Sequence, residues 1–322
     1  VEGCGTESHG LNGAAGGEEA GPQAARRAAH RPRPERPAGS FRVASSSKRK
    51  KSRKGGEISV LSIYDWFGYD VPLRERYQMI HRAGFDGVML FWSDEFGRGE
   101  YGPGNYRACV GYAREAGLYV ENVHAPVGGQ QDLWMDTLAG QAVLDCYLQC
   151  LEDWATFQIP TLVLHLPDDS YKPTPLAACR VEKLADRAER LGVNLAAENL
   201  DDVANLAFVL ESTGSSRVGF CYDSCHHRNY APGEDLLGRY GSRLMALHLH
   251  DNGGERRQHS LPFDGELDWP ATMEAIAQTG YQGATSLEPM NWGYEALSPE
   301  EFLCAAVERA RQLASLRGPA AF

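Results

Sequence analysis

From Glu57 onward the chain alternates between short apolar runs and longer stretches with one apolar face. Eight runs read as strands: Ile58–Ile63, Asp86–Phe91, Leu118–His124, Thr161–His165, Val193–Ala197, Val218–Tyr222, Leu244–His248 and Ala284–Glu288. Helical patterns lie between them at Pro72–Ala83, Asn105–Ala116, Gly140–Phe157, Leu176–Leu191, Ala204–Glu211, Trp269–Thr279 and Pro299–Leu316. Several junctions share one grammar. In Arg82-Ala-Gly-Phe-Asp-Gly-Val88 and Gln278-Thr-Gly-Tyr-Gln-Gly-Ala284 a helix stops at a glycine suited to the left-handed conformation, and an apolar residue tucks in before the next strand. Arg114-Glu-Ala-Gly-Leu118 and Glu189-Arg-Leu-Gly-Val193 repeat it. Eight strand–helix alternations in about 265 residues predict an α/β fold, a single-domain (β/α)8 TIM barrel. The competing open, doubly wound sheet needs a glycine-rich phosphate turn after its first strand, and Tyr64-Asp-Trp-Phe-Gly-Tyr69 has no G-x-G-x-x-G spacing.

Composition divides the chain in two. Residues 1–55 are rich in Gly, Ala, Arg, Pro and Ser and lack aliphatic periodicity, so they read as a disordered basic tail. The run Ser45–Lys54 resembles a nuclear-localisation or nucleic-acid patch, but a solvated tail is the simpler reading. Residues 56–322 form the expected barrel. The tail holds 12 Lys/Arg against 5 Asp/Glu, which leaves the rest with 20 against 38, a net charge of −18. So acidic a body argues against nucleic acid as a partner, because phosphate backbones are bound largely by Lys and Arg. The eight cysteines form neither a C-x-x-C motif nor a regular framework, and they read as reduced thiols. No run of about 18 apolar residues marks a membrane span, and the N-terminus lacks a secretory signal's apolar region. A soluble cytoplasmic protein without a membrane partner is expected.

Chemistry is concentrated at the strand ends. In a barrel the C-terminal ends of the strands converge on one mouth. Here they read Glu121-Asn-Val-His124, Val163-Leu-His165, Ala196-Ala-Glu198-Asn199, Cys221-Tyr-Asp223-Ser-Cys-His226, Ala246-Leu-His248-Leu-His250-Asp251-Asn252 and Ser286-Leu-Glu288. Of the eight histidines after residue 55, seven lie at such ends or in the following loops, and only His81 sits on a helix. Taken singly, each position is ordinary. Glu198, Asp223, His248 and Glu288 on four successive strands are not, because three carboxylates aimed at one point repel unless a cation compensates them. The mixed oxygen and nitrogen set suits one divalent ion, Mn, Co, Mg or Zn. Trp66, Phe91, Trp92 and Trp292 near the mouth are candidates for stacking on sugar C–H faces. His227 and His250 are expected to be neighbours of the ligands, with His250 hydrogen-bonded behind them.

Glu198-Asn, Asp223-x-x-His226, His248-x-His-Asp-Asn252, His259-Ser-Leu-Pro-Phe-Asp-Gly-Glu-Leu-Asp268 and Glu288-Pro together resemble the xylose isomerase-like barrel superfamily across about residues 58–316. That group holds sugar epimerases, hydroxypyruvate isomerase, inosose-processing enzymes and endonuclease IV nucleases. The resemblance implies that Glu198, Asp223, His248 and Glu288 are the shared metal ligands. It implies a substrate contact for His226, a position that binds an additional zinc in the nucleases. His124, His165 and His259 match further nuclease zinc ligands. The nuclease pattern wants an acid two residues before the last histidine, and Arg257 stands there instead.

On this reading the protein is a metal-dependent isomerase or epimerase of a sugar, sugar phosphate or keto-polyol. Glu198 abstracts an α-proton, an enediolate forms, and Glu288 returns the proton. His226, His165, His124 and Trp92 would line the substrate pocket, and Arg257 or His259 would meet a phosphate or carboxylate. Three rivals stand beside it: a zinc phosphoesterase of the endonuclease IV type, a non-catalytic metabolite-binding barrel, and a lyase. Barrels of this family often associate, so a homo-oligomer is a further expectation.

Overall fold

The computed structural model describes residues 59–317 apart from 97, 99–102, 169, 202 and 255–257. The expected tail, its basic run and Arg257 lie outside the described residues. The strands are β1 (Leu61–Tyr64), β2 (Gly87–Phe91), β3 (Tyr119–His124), β4 (Thr161–Leu164), β5 (Asn194–Glu198), β6 (Val218–Asp223), β7 (Leu244–His248) and β8 (Thr285–Leu287). The helices are α1 (Leu73–Ala83), α2 (Ala108–Glu115), α3 (Leu138–Phe157), α4 (Pro175–Leu191), α5 (Val203–Ser212), α6 (Ser224–Tyr230), α7 (Leu236–Tyr240), α8 (Trp269–Gln278) and α9 (Pro299–Arg317). All eight strand runs appear where the pattern places them. The four junction glycines, Gly84, Gly117, Gly192 and Gly280, all have positive φ, as the helix-stop grammar requires.

The strands pair in parallel in the order β7-β6-β5-β4-β3-β2-β1-β8. Leu249 N donates to Ser286 O and Glu288 N to Leu249 O, both at 3.0 Å, which brings β7 to β8 and all but closes the ring. This is the predicted TIM barrel. Alternation along each strand sorts the side chains into two sets. Ile63, Leu90, Leu162, Leu195, Phe220 and Leu247 pack outward against the helices in one large apolar cluster. Inside the ring, Val163, Ala196, Cys221 and Ala246 form a plug of small residues beside Tyr64, Met89 and Phe91. One residue further along each inward row lies the mouth. Asp223 pairs in register with His248, and Glu198 stands opposite Cys221, one inward position before Asp223, so the polar strand ends gather at the same end of the ring. No helix among the described residues is long and apolar enough to cross a membrane.

The long connection from β7 to α8 is built around one buried carboxylate. Asp251 accepts from Asn252 N at 2.8 Å, Phe263 N at 3.0 Å, Leu267 N at 3.2 Å and Trp269 Nε1 at 2.7 Å. An antiparallel bridge ties Asp251 to Ser260, next to His259. Asp251→Ala strands these donors without acceptors, and buried unpaired donors cost about 1–3 kcal/mol each. A loss of about 3 kcal/mol or more is therefore expected in urea unfolding, and a loss below about 1 kcal/mol would show that the carboxylate does not organise this loop.

Candidate metal centre

Glu198 ends β5 inside the ring, where it is 2% exposed and surrounded by imidazoles. Its Oε2 lies 3.2 Å from His124 Nε2, 3.4 Å from His165 Nε2 and 3.2 Å from His248 Nδ1. Its Oε1 lies 3.0 Å from His226 Nδ1. Glu288 Oε2, arriving after β8, lies 3.5 Å from the same His248 Nδ1. Ligand atoms of Asp223, His248 and Glu288 fall within 4.8 Å of one another. All four expected ligands are thus brought together.

Asp223 has two tasks. It ends β6 and caps α6, its Oδ1 accepting from His226 N at 2.7 Å, which turns His226 back toward Glu198. Asn199 holds Asp223 from β5, accepting from its N at 2.8 Å and donating to its carbonyl at 2.9 Å. His250 Nε2 sits 3.0 Å from Asp223 Oδ2, which matches its expected place behind the ligands. His259 stacks flat on His250 with ring centroids 3.9 Å apart, and its Nδ1 lies 3.0 Å from the Glu288 carbonyl.

The donor set fits a divalent ion on two counts. The Nδ1 atoms of His226 and His248 are buried beside carboxylate oxygens yet are not aligned to hydrogen-bond with them. Donors about 2.0–2.2 Å from one cation stand roughly 3.0–3.4 Å apart, close to the separations around Glu198. His124 supplies the second count. Its Nδ1 lies 2.6 Å from the Ala125 carbonyl, so that nitrogen carries the proton and a neutral ring turns the Nε2 lone pair toward Glu198. Two lone pairs facing each other at 3.2 Å call for a cation between them or a second ring proton.

The cluster's charges are strongly coupled. Burial pushes Glu198 up, but His248 and His165 outweigh it and hold the carboxyl well below the usual range. Asp223 is likewise lowered against burial, by His226 and His250. Glu288 is raised by burial and by the negative charges of Glu198 and Asp223, although His248 opposes this. Burial works against His226, but Asp223 and Glu198 hold it up at about 9. His248 also rises well above its ordinary value against burial, through Cys221, Glu288 and Glu198. Burial lowers His259 to about 3.

A cleft of about 250 Å³ opens above the cluster, lined by Glu198, Glu288, His124, His165, His226 and His259. Its apolar wall is Tyr64, Phe91, Phe96, Val127 and Met290. Of these, the sequence reading singled out only Phe91. Phe96 stands on the loop after β2 with φ 57° and stacks on Trp66 at 5.2 Å. Trp92 does not line this cleft. As the residue after the inward-facing Phe91, it points outward, is 2% exposed, packs edge-on to Trp154 and donates from Nε1 to Asp153 Oδ2 at 3.0 Å. Trp292 is half-exposed, with its ring edge-on to His259. Glu121 lies inside the barrel and away from the mouth, bonded to Ser286 and Tyr281.

Residues 77–308 match the family model described as xylose isomerase-like TIM barrel. The chain belongs to that family. The uncharacterized protein y4fM of Sinorhizobium fredii is 31% identical over 267 residues, covering 69% of this chain and 83% of that one. Among solved structures, D-psicose 3-epimerase with D-tagatose from Clostridium cellulolyticum H10 superposes with a TM-score of 0.64 at 16% identity, covering 81% and 99% of the two chains. The IOLI protein with a binding zinc atom gives 0.65 at 15%, covering 79% and 98%. A xylose isomerase-like TIM barrel/4-hydroxyphenylpyruvate dioxygenase fusion protein gives 0.66 at 17%, covering 80% of this chain, which spans 43% of that one. At these identities the solved structures speak for the fold alone.

Ligand nitrogens must shed their protons before an ion binds. His248, the imidazole among the four expected ligands, is raised well above its ordinary value in the ion-free protein, so an ion must compete with a proton for it. Affinity for Mn2+ or Zn2+ should therefore fall about tenfold or more per pH unit between pH 8 and pH 6, with proton release. Calorimetry in buffers of differing ionisation enthalpy measures both, and pH-independent binding without proton release would contradict this account.

Proposed function

We propose that the protein is a divalent-metal-dependent isomerase or epimerase of ketoses or keto-polyols, working by proton transfer next to a carbonyl. The observation that carries this reading is a pair of carboxylates, Glu198 and Glu288, on one cleft and on either side of His248 Nδ1, with Glu198 lowered and Glu288 raised from the ordinary carboxylate value. Two carboxylates set apart in this way suit proton acceptor and proton donor. Glu198, Asp223, His248 and Glu288 would hold the ion, which when bound polarises a substrate carbonyl as a Lewis acid.

Glu198 takes the α-proton and Glu288 delivers one to the other face or to the neighbouring carbon. His226, whose Nδ1 lies 3.0 Å from Glu198 Oε1 on the cleft wall, holds a substrate oxygen. Phe91, Phe96 and Met290 offer the apolar wall against which a sugar's C–H face packs and from which water is displaced. Solved structures with the same fold include sugar epimerases, in line with this reading.

One observation favours a second reading, a phosphoesterase with more than one zinc. His124, His165 and Glu198 form a further group of possible ligands. Against it, no Lys or Arg lines the cleft among the described residues, and a phosphodiester would need one. Metal content separates the two: one ion per chain for the isomerase, two or three and cleavage of an abasic-site duplex for the phosphoesterase.

The direct test is incubation of metal-reconstituted protein with ketoses and keto-polyols in D2O, followed by NMR. Deuterium is expected at a carbon next to the carbonyl. Glu198→Gln and Glu288→Gln should each lower kcat by about 10²–10⁴-fold. If no ketose or keto-polyol exchanges, the isomerase reading is lost.

A further inference from the structure

A second cleft of about 290 Å³ adjoins the first, and His165 and His226 belong to both. Its other walls are Gln130, Gln131, Asp168, Leu200, Asp201 and Tyr230, contributed by the segments after β3, β4, β5 and β6. Together the two lobes make one elongated mouth with Glu198 beneath the shared wall. Either lobe alone is small beside the roughly 300–1,000 Å³ of ordinary ligand sites. The pair falls within that range.

The second lobe is lined by half-buried polar groups that are braced from behind by buried ones. Gln131 and Asp168 bond reciprocally, Gln131 Nε2 donating to Asp168 Oδ2 at 2.9 Å and Asp168 N to Gln131 Oε1 at 2.8 Å. Behind Gln131, the buried Arg180 of α4 donates to the carbonyls of Leu133 and Met135, both at 2.8 Å. Gly140 lets α3 pass close by: a Cβ there would stand 2.3 Å from the carbonyl oxygens of Asp132 and Met135. Behind Asp168, the buried Asn205 donates from one nitrogen to the carbonyls of Pro167 at 2.8 Å and Tyr171 at 3.0 Å. Walls held in this way need no ordering when a ligand arrives.

Beyond the shared imidazoles of His165 and His226, the lining chemistry is side-chain amides, carboxylates and a phenol, with Leu200 and Leu166 as the apolar part. Amides and carboxylates together match hydroxyl groups, which donate and accept at once. Lys and Arg are absent from the lining among the described residues, and the carboxylates repel phosphate. Resting on the isomerase reading, we infer that the substrate is an uncharged keto-sugar carrying a second sugar unit, with the keto unit over Glu198 and the appended ring in the Gln131–Asp168 lobe.

The probes are lactulose and isomaltulose, two keto-disaccharides, against D-fructose, with the manganese-loaded full chain and binding read by calorimetry and saturation-transfer NMR. At least one disaccharide should bind about tenfold tighter than D-fructose, the worth of one or two net hydrogen bonds. Gln131→Ala, which removes an amide from the lobe, and Gln130→Trp, which fills it, should each abolish that preference and leave D-fructose binding within about twofold. Equal or weaker binding of both disaccharides overturns the inference, as does a variant that weakens all three sugars alike while unfolding at the wild-type midpoint. Preferred disaccharide binding without deuterium exchange into any sugar would sink the isomerase reading and leave the two-unit site standing.

Discussion

Everything at the mouth depends on how one buried carboxylate is compensated. Glu198 is almost sealed from water, and four imidazoles approach its two oxygens within 3.4 Å, with Asp223 and Glu288 close behind. Buried charge is tolerated only when it is paired. In the ion-free protein that role falls to protons on His226, His248 and His250, which explains why all three are raised against the pull of burial. On the proposed function, a divalent ion would do the same work with fewer groups and free His248 as a ligand. The same competition sets the two flanking carboxylates apart: Glu198 faces most of the positive charge, while Glu288 faces more of the negative.

Holding such a cluster together is a task for the barrel. Parallel pairing places Asp223 beside His248 in register, and the all-but-closed ring carries Glu288 round to the same point. The floor is small: Ala196, Cys221 and Ala246 leave Glu198, Asp223 and His248 room to converge where larger inward residues would push them apart. The loops above are held by buried polar side chains that satisfy backbone groups, namely Asp251, Arg180 and Asn205. Sites of this kind lose little on binding, because their walls are already ordered.

Much of this was legible along the chain. The strand runs, the helix-stopping glycines and the convergence of Glu198, Asp223, His248 and Glu288 follow from local pattern and from the rule that barrel strand ends share a mouth. What escaped notice had no local signal. Helices α6 and α7 are short, and Ser224–Tyr230 carries no apolar periodicity; Asp223 caps α6, whose first turn carries His226 to within 3.0 Å of Glu198. Trp92 looked like a pocket residue because it follows a strand end, but alternation sends it outward to Asp153 and Trp154. Phe96 and Met290 come from loops whose paths no periodicity describes, yet both line the cleft.

The amino-acid order by itself determined the kind of elements, their sequence and the identity of the residues at their polar ends, because hydrophobic periodicity and helix stops act over a few neighbours. Only the tertiary structure decided which nitrogen faces which oxygen, that Glu198 is lowered while Glu288 is raised, and that the mouth has two lobes. Those properties depend on burial and on distances between groups far apart in the chain, such as Glu121 and Ser286, 165 positions from one another, which become neighbours only once the ring is drawn together.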